Sequence, residues 1–122
     1  MLKLMIVDDS NIIRHRIARA MAGPRLPTLN IVGLAKDCAE AVAMCGRNRP
    51  DLVTLDLTMP NMDGIECVEQ LMKIDPNMLV LVVSALSDKF TAINALKKGA
   101  RGFLHKPFDD VQLVDALLEL ME

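Results

Sequence analysis

Five polar residues close apolar runs in this chain. Asp8 and Asp9 follow Leu2–Val7, and Asp56 ends the run that begins at Asp51. Ser84 follows Met78–Val83, and Lys106 follows Gly102–His105. Three carboxylates brought together repel one another, so a cation is favoured among them. Oxygen ligands, few in number and with room for water, suit Mg²⁺ rather than Zn²⁺. A carboxylate beside such an ion can attack phosphorus, and the metal then offsets charge on the phosphoryl oxygens. Lys106 can pair with one of those oxygens and Ser84 can donate a hydrogen bond to another, which is phosphoryl transfer by positioning and electrostatics. Singly, each residue has an ordinary explanation as a cap, a loop hydroxyl or a solvated surface charge. Their joint placement carries the chemical reading.

Such convergence requires strands that end along one edge. Leu2–Val7 is apolar except for Lys3, the pattern of a strand buried on both faces. Ser10 or Asn11 can cap a helix whose stripe is Ile13, Ile17, Ala20 and Met21, ended by Gly23-Pro24. Leu29–Ala35 reads as a second strand, and Asp37 caps a helix from about Cys38 to Gly46. Asp51–Asp56 is the third strand, and Met59–Gly64 is turn chemistry. A helix from about Ile65 to Lys73 precedes the fourth strand, Met78–Val83. A fourth helix, Asp88–Lys98, stops at Gly99. The short strand Gly102–His105 precedes a last helix, capped by Asp109 or Asp110 and reaching about Met121. Strand and helix alternate five times, which implies an α/β fold: a doubly wound parallel sheet with helices on both faces. Ligands bind such sheets at the carboxyl ends of the strands.

The composition agrees. The 122 residues suit one domain, 52% of them are hydrophobic, and the net charge of −2 advertises neither nucleic acid nor an anionic membrane. Trp and Tyr are absent, so stacking of unpaired bases is poorly supported. No apolar run approaches the ~18 residues of a membrane helix, and the N-terminus meets Asp8 too soon for a signal peptide. Cys38, Cys45 and Cys67 form no C-x-x-C pair. Cys38 and Cys45, if on one helix, lie about 10 Å apart along its axis, too far to bridge. All three read as small buried hydrophobes in a reducing cytoplasm.

The motifs Ile6-Val7-Asp8-Asp9-Ser10, Leu55-Asp56 through Asp63-Gly64, Val83-Ser84-Ala85 and Lys98-Gly99 through Pro107-Phe108 span nearly the whole chain. In order and spacing they resemble the receiver domains of two-component response regulators. The resemblance implies a flavodoxin-like, CheY-like fold with five flanking helices and strand order 2-1-3-4-5, the order for which this same family is a standard example. It implies that Asp56 accepts a phosphoryl group from a histidine kinase or phosphotransfer protein. Asp9 would ligate Mg²⁺ directly, Asp8 mainly through water and Thr58 through its backbone carbonyl. Lys106 and Ser84 would hold the phosphoryl group, and Phe103 would be an aromatic switch with Ser84. Lys106-Pro107 would be cis, and Leu86 and Thr58 would flank the phosphoryl group. A downstream protein would dock on the face of helix four, strand five and helix five, with Lys89, Lys97, Lys98 and Arg101 as charged contacts.

The sequence departs from the shortest relatives in a longer Gly23–Thr28 segment, and it carries Phe103 where Tyr is common and Ser84 where Thr is frequent. The expectation is therefore one cytoplasmic receiver domain over residues 1–122, without an effector domain, membrane contact or nucleic-acid binding. It would be a signalling module, not an enzyme, that catalyses its own phosphorylation and dephosphorylation. Chemotaxis and flagellar motor control are one setting for it. A receiver cut from a transcription factor or methylesterase is the alternative. A Mg²⁺-dependent aspartyl-phosphate phosphatase is disfavoured, because Thr58 stands where a second carboxylate is needed.

Overall fold

The computed structural model describes residues 2–58, 63–85 and 89–122. Its elements alternate: β1 (Leu2–Val7), α1 (Asn11–Ala20), β2 (Leu29–Ala35), α2 (Cys38–Arg47), β3 (Leu52–Asp56), α3 (Gly64–Ile74), β4 (Leu79–Ser84), α4 (Lys89–Lys97), β5 (Gly102–His105) and α5 (Asp110–Met121). The strands form one five-stranded sheet in the order β2-β1-β3-β4-β5, and every pairing is parallel.

Alternation along each strand divides the core in two. Leu4, Ile6, Leu52, Leu81 and Val83 face α1 and α5, where Ile17, Leu113 and Leu117 cover them. Met5, Val7, Val53, Leu55 and Val82 face the other way, under Cys38 and Ala41 of α2, Val68 and Leu71 of α3 and Ala95 of α4. Each large apolar side chain removed from water in this way contributes about 1.5–3 kcal/mol. The central strand β3 is buried along its whole length.

Local chemistry sets the helix starts. Ser10 Oγ accepts from Ile13 N at 3.3 Å, so Ser10 and not Asn11 caps α1. Asp37 caps α2 through Glu40 N at 2.8 Å. Asp109 caps α5, and the Gln112 side chain returns a bond from Asp109 N, completing a capping box. Gly99 follows α4 at φ +122°, where a Cβ would also meet the Met72 side chain. Most element bounds match the sequence reading within a residue or two. One shift concerns the site: Ser84 is the last residue of β4 and fully buried, not a residue beyond it. The anticipated turn at 59–62, Leu86 and the anticipated helix start at Asp88 lie outside the described residues.

The cysteines overturn one expectation. Cys38 and Cys67 are joined as a disulfide, and Cys45 is free and buried. Spacing along a single helix spoke only to Cys38 and Cys45. The partner comes from the next helix, because α2 and α3 pack side by side on the same face. Cysteine usage therefore no longer argues for a reducing compartment.

Candidate functional site

The carboxyl ends of β1, β3, β4 and β5 lie side by side. Val7 pairs with Leu55, Asp56 with Val83 and Ser84 with His105. The residues that end or follow those strands are therefore neighbours, as the alternating sequence implied. Asp8, Asp9 and Asp56 each place a carboxylate oxygen within 4.8 Å of the others. Asp8 and Asp56 are 1% and 2% exposed, whereas Asp9 faces solvent. This is an all-oxygen donor set open on one side, which fits a hard divalent cation that keeps some of its water.

Lys106 reaches across from the end of β5. Its Nζ lies 3.0 Å from Asp8 Oδ2 and 3.3 Å from Asp56 Oδ2. The backbone holds it in place: Lys106 N donates to Ser84 O at 2.8 Å, and the Lys106–Pro107 peptide is cis. Burial pushes the Asp8 carboxyl above its ordinary value; the Ser10 N–H and Lys106 oppose that rise, and the Asp56 charge adds to it. Burial alone would lower Lys106, but the two carboxylates outweigh it and hold its ammonium above the usual lysine value.

The β1–α1 turn is fixed from two directions. Ser10 N donates to Asp8 Oδ1 at 2.9 Å, a local aspartate turn. Arg14 Nη1 donates to the Asp8 carbonyl and Nη2 to Asn11 Oδ1 at 3.2 Å. After β3 a similar local bond forms, since Thr58 N donates to Asp56 Oδ1 at 3.0 Å. Thr58 Oγ1 also donates to that oxygen, at 2.8 Å. The sequence reading gives Thr58 a carbonyl for the metal and a place beside the phosphoryl group, but not this bond to Asp56; a hydroxyl two residues past an aspartate was the available signal. One oxygen of Asp56 is thus held by Thr58 and the other faces Lys106.

Ser84 is buried on the strand next to Asp56. Phe103 is half-buried on β5 beside Val82 and packs on the α2–α3–α4 side of the core. His15 and His105 are exposed. Thr54, one turn of the pleat below Asp56, is buried, and its hydroxyl has no hydrogen-bond partner among the described residues. Phe90, Ile93 and Leu96 of α4 are 74%, 50% and 47% exposed, an apolar surface flanked by exposed Lys89 and Lys97. No helix among the described residues is long and apolar enough to cross a membrane.

The family model for the response regulator receiver domain matches residues 4–118. The chain is 39% identical to the chemotaxis protein CheY of Listeria monocytogenes over 117 residues, which covers 96% of both chains. It is 36% identical to the Thermotoga maritima chemotaxis protein CheY, covering 94% of this chain and 93% of that one. A protein-glutamate methylesterase/protein-glutamine glutaminase of Photobacterium profundum is 36% identical over 110 residues, but the chain spans only 27% of its length. Among solved structures, a chain of the Borrelia burgdorferi CheX-CheY-BeF3-Mg²⁺ complex superposes with a TM-score of 0.91 at 32% identity, covering 99% of this chain and 90% of that one.

Proposed function

The chain belongs to the response regulator receiver domain family, and from that premise we propose that it is a phosphorylation-controlled binding module with Asp56 as phosphoacceptor. The observation that carries the reading is Lys106 Nζ lying between Asp8 and Asp56 at 3.0 and 3.3 Å.

Asp8, Asp9 and Asp56 would hold Mg²⁺ together with the Thr58 carbonyl, and the ion would offset negative charge on the phosphoryl oxygens. Thr58 holds one Asp56 oxygen and so turns the carboxylate toward Lys106. An Asp56 oxygen then attacks the phosphorus of a phosphohistidine on a partner kinase or phosphotransfer protein. The new O–P bond forms as the P–N bond breaks, and the imidazole leaves with the electron pair and takes up a proton. In the product the Lys106 ammonium offsets charge on one phosphoryl oxygen and the Ser84 hydroxyl donates a hydrogen bond to another.

Phosphate on Asp56 draws the Ser84 hydroxyl toward it, because a charge-assisted hydrogen bond is about twice as strong as a neutral one. The shift of Ser84 leaves room for Phe103 to turn further inward, and the α4–β5–α5 face changes with it. Exposed Phe90, Ile93 and Leu96 support this face as the docking surface for a downstream protein, with Lys89, Lys97, Lys98 and Arg101 around it. Likeness to two chemotaxis proteins supports a role in flagellar motor control. The methylesterase match supports the alternative of a receiver within a longer regulator. Cytoplasmic placement follows from either role, as does the assignment of residues 1–122 to one receiver domain.

The test is incubation with a small phosphodonor and Mg²⁺, followed by intact mass. One phosphoryl group should appear and should vanish in Asp56→Asn. A group that persists at another acidic side chain of the wild type overturns the assignment. For the switch, the Mg²⁺–beryllofluoride form should shift amide resonances across residues 89–105; shifts confined to the neighbourhood of Asp56 would exclude transmission to that face.

A further inference from the structure

The acceptor strand lies inside a covalent ring. Cys38, the first residue of α2, is bridged to Cys67 in the opening turns of α3, 29 residues later in the chain, with the Cα atoms 5.9 Å apart. The ring encloses β3, Asp56 and Thr58. Each end of the bridge backs one carboxylate-bearing strand end. Three residues before Cys38, the Ala35 carbonyl accepts the Asp8 N–H at 3.0 Å. Three residues before Cys67, Gly64 lies so close to the acceptor segment that a Cβ would sit 2.5 Å from Leu57 Cα. Leu57 directly follows Asp56. Both cysteines are fully buried in the core cluster that contains Val7, Leu55 and Leu57.

We propose that Cys38 and Cys67 form a redox-modified site that tunes the phosphoryl site. Closed, the bridge fixes the first turns of α2 and α3 to each other, and with them the backbone behind Asp8 and Asp56. Opened, α3 is held at that end only by packing, and its contact with Leu57 loosens. The consequence for phosphorylation rests on Asp56 being the acceptor; the effect on the backbone does not. The chemistry is thiol–disulfide exchange with a low-molecular-weight disulfide such as oxidised glutathione. One cysteine thiolate attacks it and releases a glutathione thiolate; the second cysteine then displaces the other glutathione. One S–S bond forms in the protein as one breaks in glutathione, and two electrons and two protons pass to the two glutathione thiols. Burial of both cysteines routes the exchange through local opening.

The full chain is equilibrated at reducing and oxidising glutathione ratios, and its thiols are alkylated under denaturing conditions. Three thiols are expected in the first state and one, Cys45, in the second. Amide hydrogen exchange at residues 55–58 and 64–68 should be slower in the bridged state by about tenfold or more, the response to a local stability difference of about 1.4 kcal/mol. Phosphorylation by a small phosphodonor should be faster in the bridged state by up to about tenfold, since misplacement of a reacting group costs rate. The Cys38→Ser/Cys67→Ser variant should lose both responses to the glutathione ratio. If it does not fold, the two states of the wild type still decide. Three thiols at every ratio, or equal exchange in both states, overturns the inference. Unequal exchange with no phosphorylation in either state upholds redox control of the backbone and removes Asp56 as acceptor, whereas unequal exchange with equal phosphorylation rates overturns the tuning.

Discussion

Lys106 Nζ lies 3.0 Å from Asp8 Oδ2, so the ammonium that closes β5 is tied first to the carboxylate that ends β1. Its distance to Asp56 is slightly greater, 3.3 Å. Lys106 therefore occupies, as a positive charge, part of the field that a divalent cation would occupy. Its side chain is 18% exposed against 2% for each carboxylate, so the pair is largely desolvated.

Lys106→Met should tighten Mg²⁺ binding, because a competing cation is removed while the three carboxylates remain. The same variant should lose about 1–3 kcal/mol of stability without metal, since two buried carboxylates lose their counter-charge. Added Mg²⁺ should restore much of that loss. Titration calorimetry and denaturant unfolding with and without Mg²⁺ measure both effects. Weaker Mg²⁺ binding in the variant would show that Lys106 organises the acidic cluster more than it competes for it.

The pH dependence has a defined sign. Burial, with a smaller push from Asp56, raises the folded Asp8 carboxyl above its ordinary 3.8. The folded state then holds the proton more tightly than the unfolded chain. That stabilisation is full below pH 3.8 and is lost as pH rises through the higher folded value. Protons also compete with metal. Mg²⁺ affinity should therefore begin to fall, on acidification, at a pH above 3.8, and Asp8→Asn should flatten that limb. Lys106 contributes at the alkaline end: its stabilisation is full below 10.5 and is lost as pH rises past its raised folded value. An unchanged acid limb in Asp8→Asn would move the effect to another carboxylate.

Thr54 is 1% exposed between Ile6 and Leu81, and its hydroxyl has no partner among the described residues. Thr54→Val keeps the shape and removes the unpaired group. It should raise stability by about 1 kcal/mol without altering Mg²⁺ binding. A loss of stability in urea unfolding would show that the hydroxyl is paired in solution.

Gly64 and Gly46 offer a matched pair. A Cβ at Gly64 would lie 2.5 Å from Leu57 Cα and 2.7 Å from its carbonyl oxygen, whereas at Gly46 it meets nothing within 4 Å. Gly64→Ala should cost about 1–3 kcal/mol and disturb the amide of Thr58. Gly46→Ala, inside α2, should add about 0.5–1 kcal/mol. Denaturant midpoints measure both; equal values would mean that α3 shifts away from Leu57 at little cost.

Strand and helix periodicity, cap residues and the polar residue at each strand end are local properties, so the order of elements and the edge carrying Asp8, Asp56, Ser84 and Lys106 were legible in the sequence. The chemistry proposed for that edge likewise rests on residue types, because only a few of them can share a phosphoryl group and a hard cation. What lay beyond the sequence depended on which elements pack together. Cys38 and Cys67 are 29 residues apart and meet because α2 and α3 share a face of the sheet. Lys106 Nζ lies closer to Asp8 than to Asp56 although β3 stands between β1 and the β4–β5 pair, so this preference comes from side-chain placement in the fold and not from strand order. The turn of Thr58 Oγ1 toward Asp56 depends on one rotamer. Contacts across the chain arise from packing and register, and no short stretch of residues encodes them.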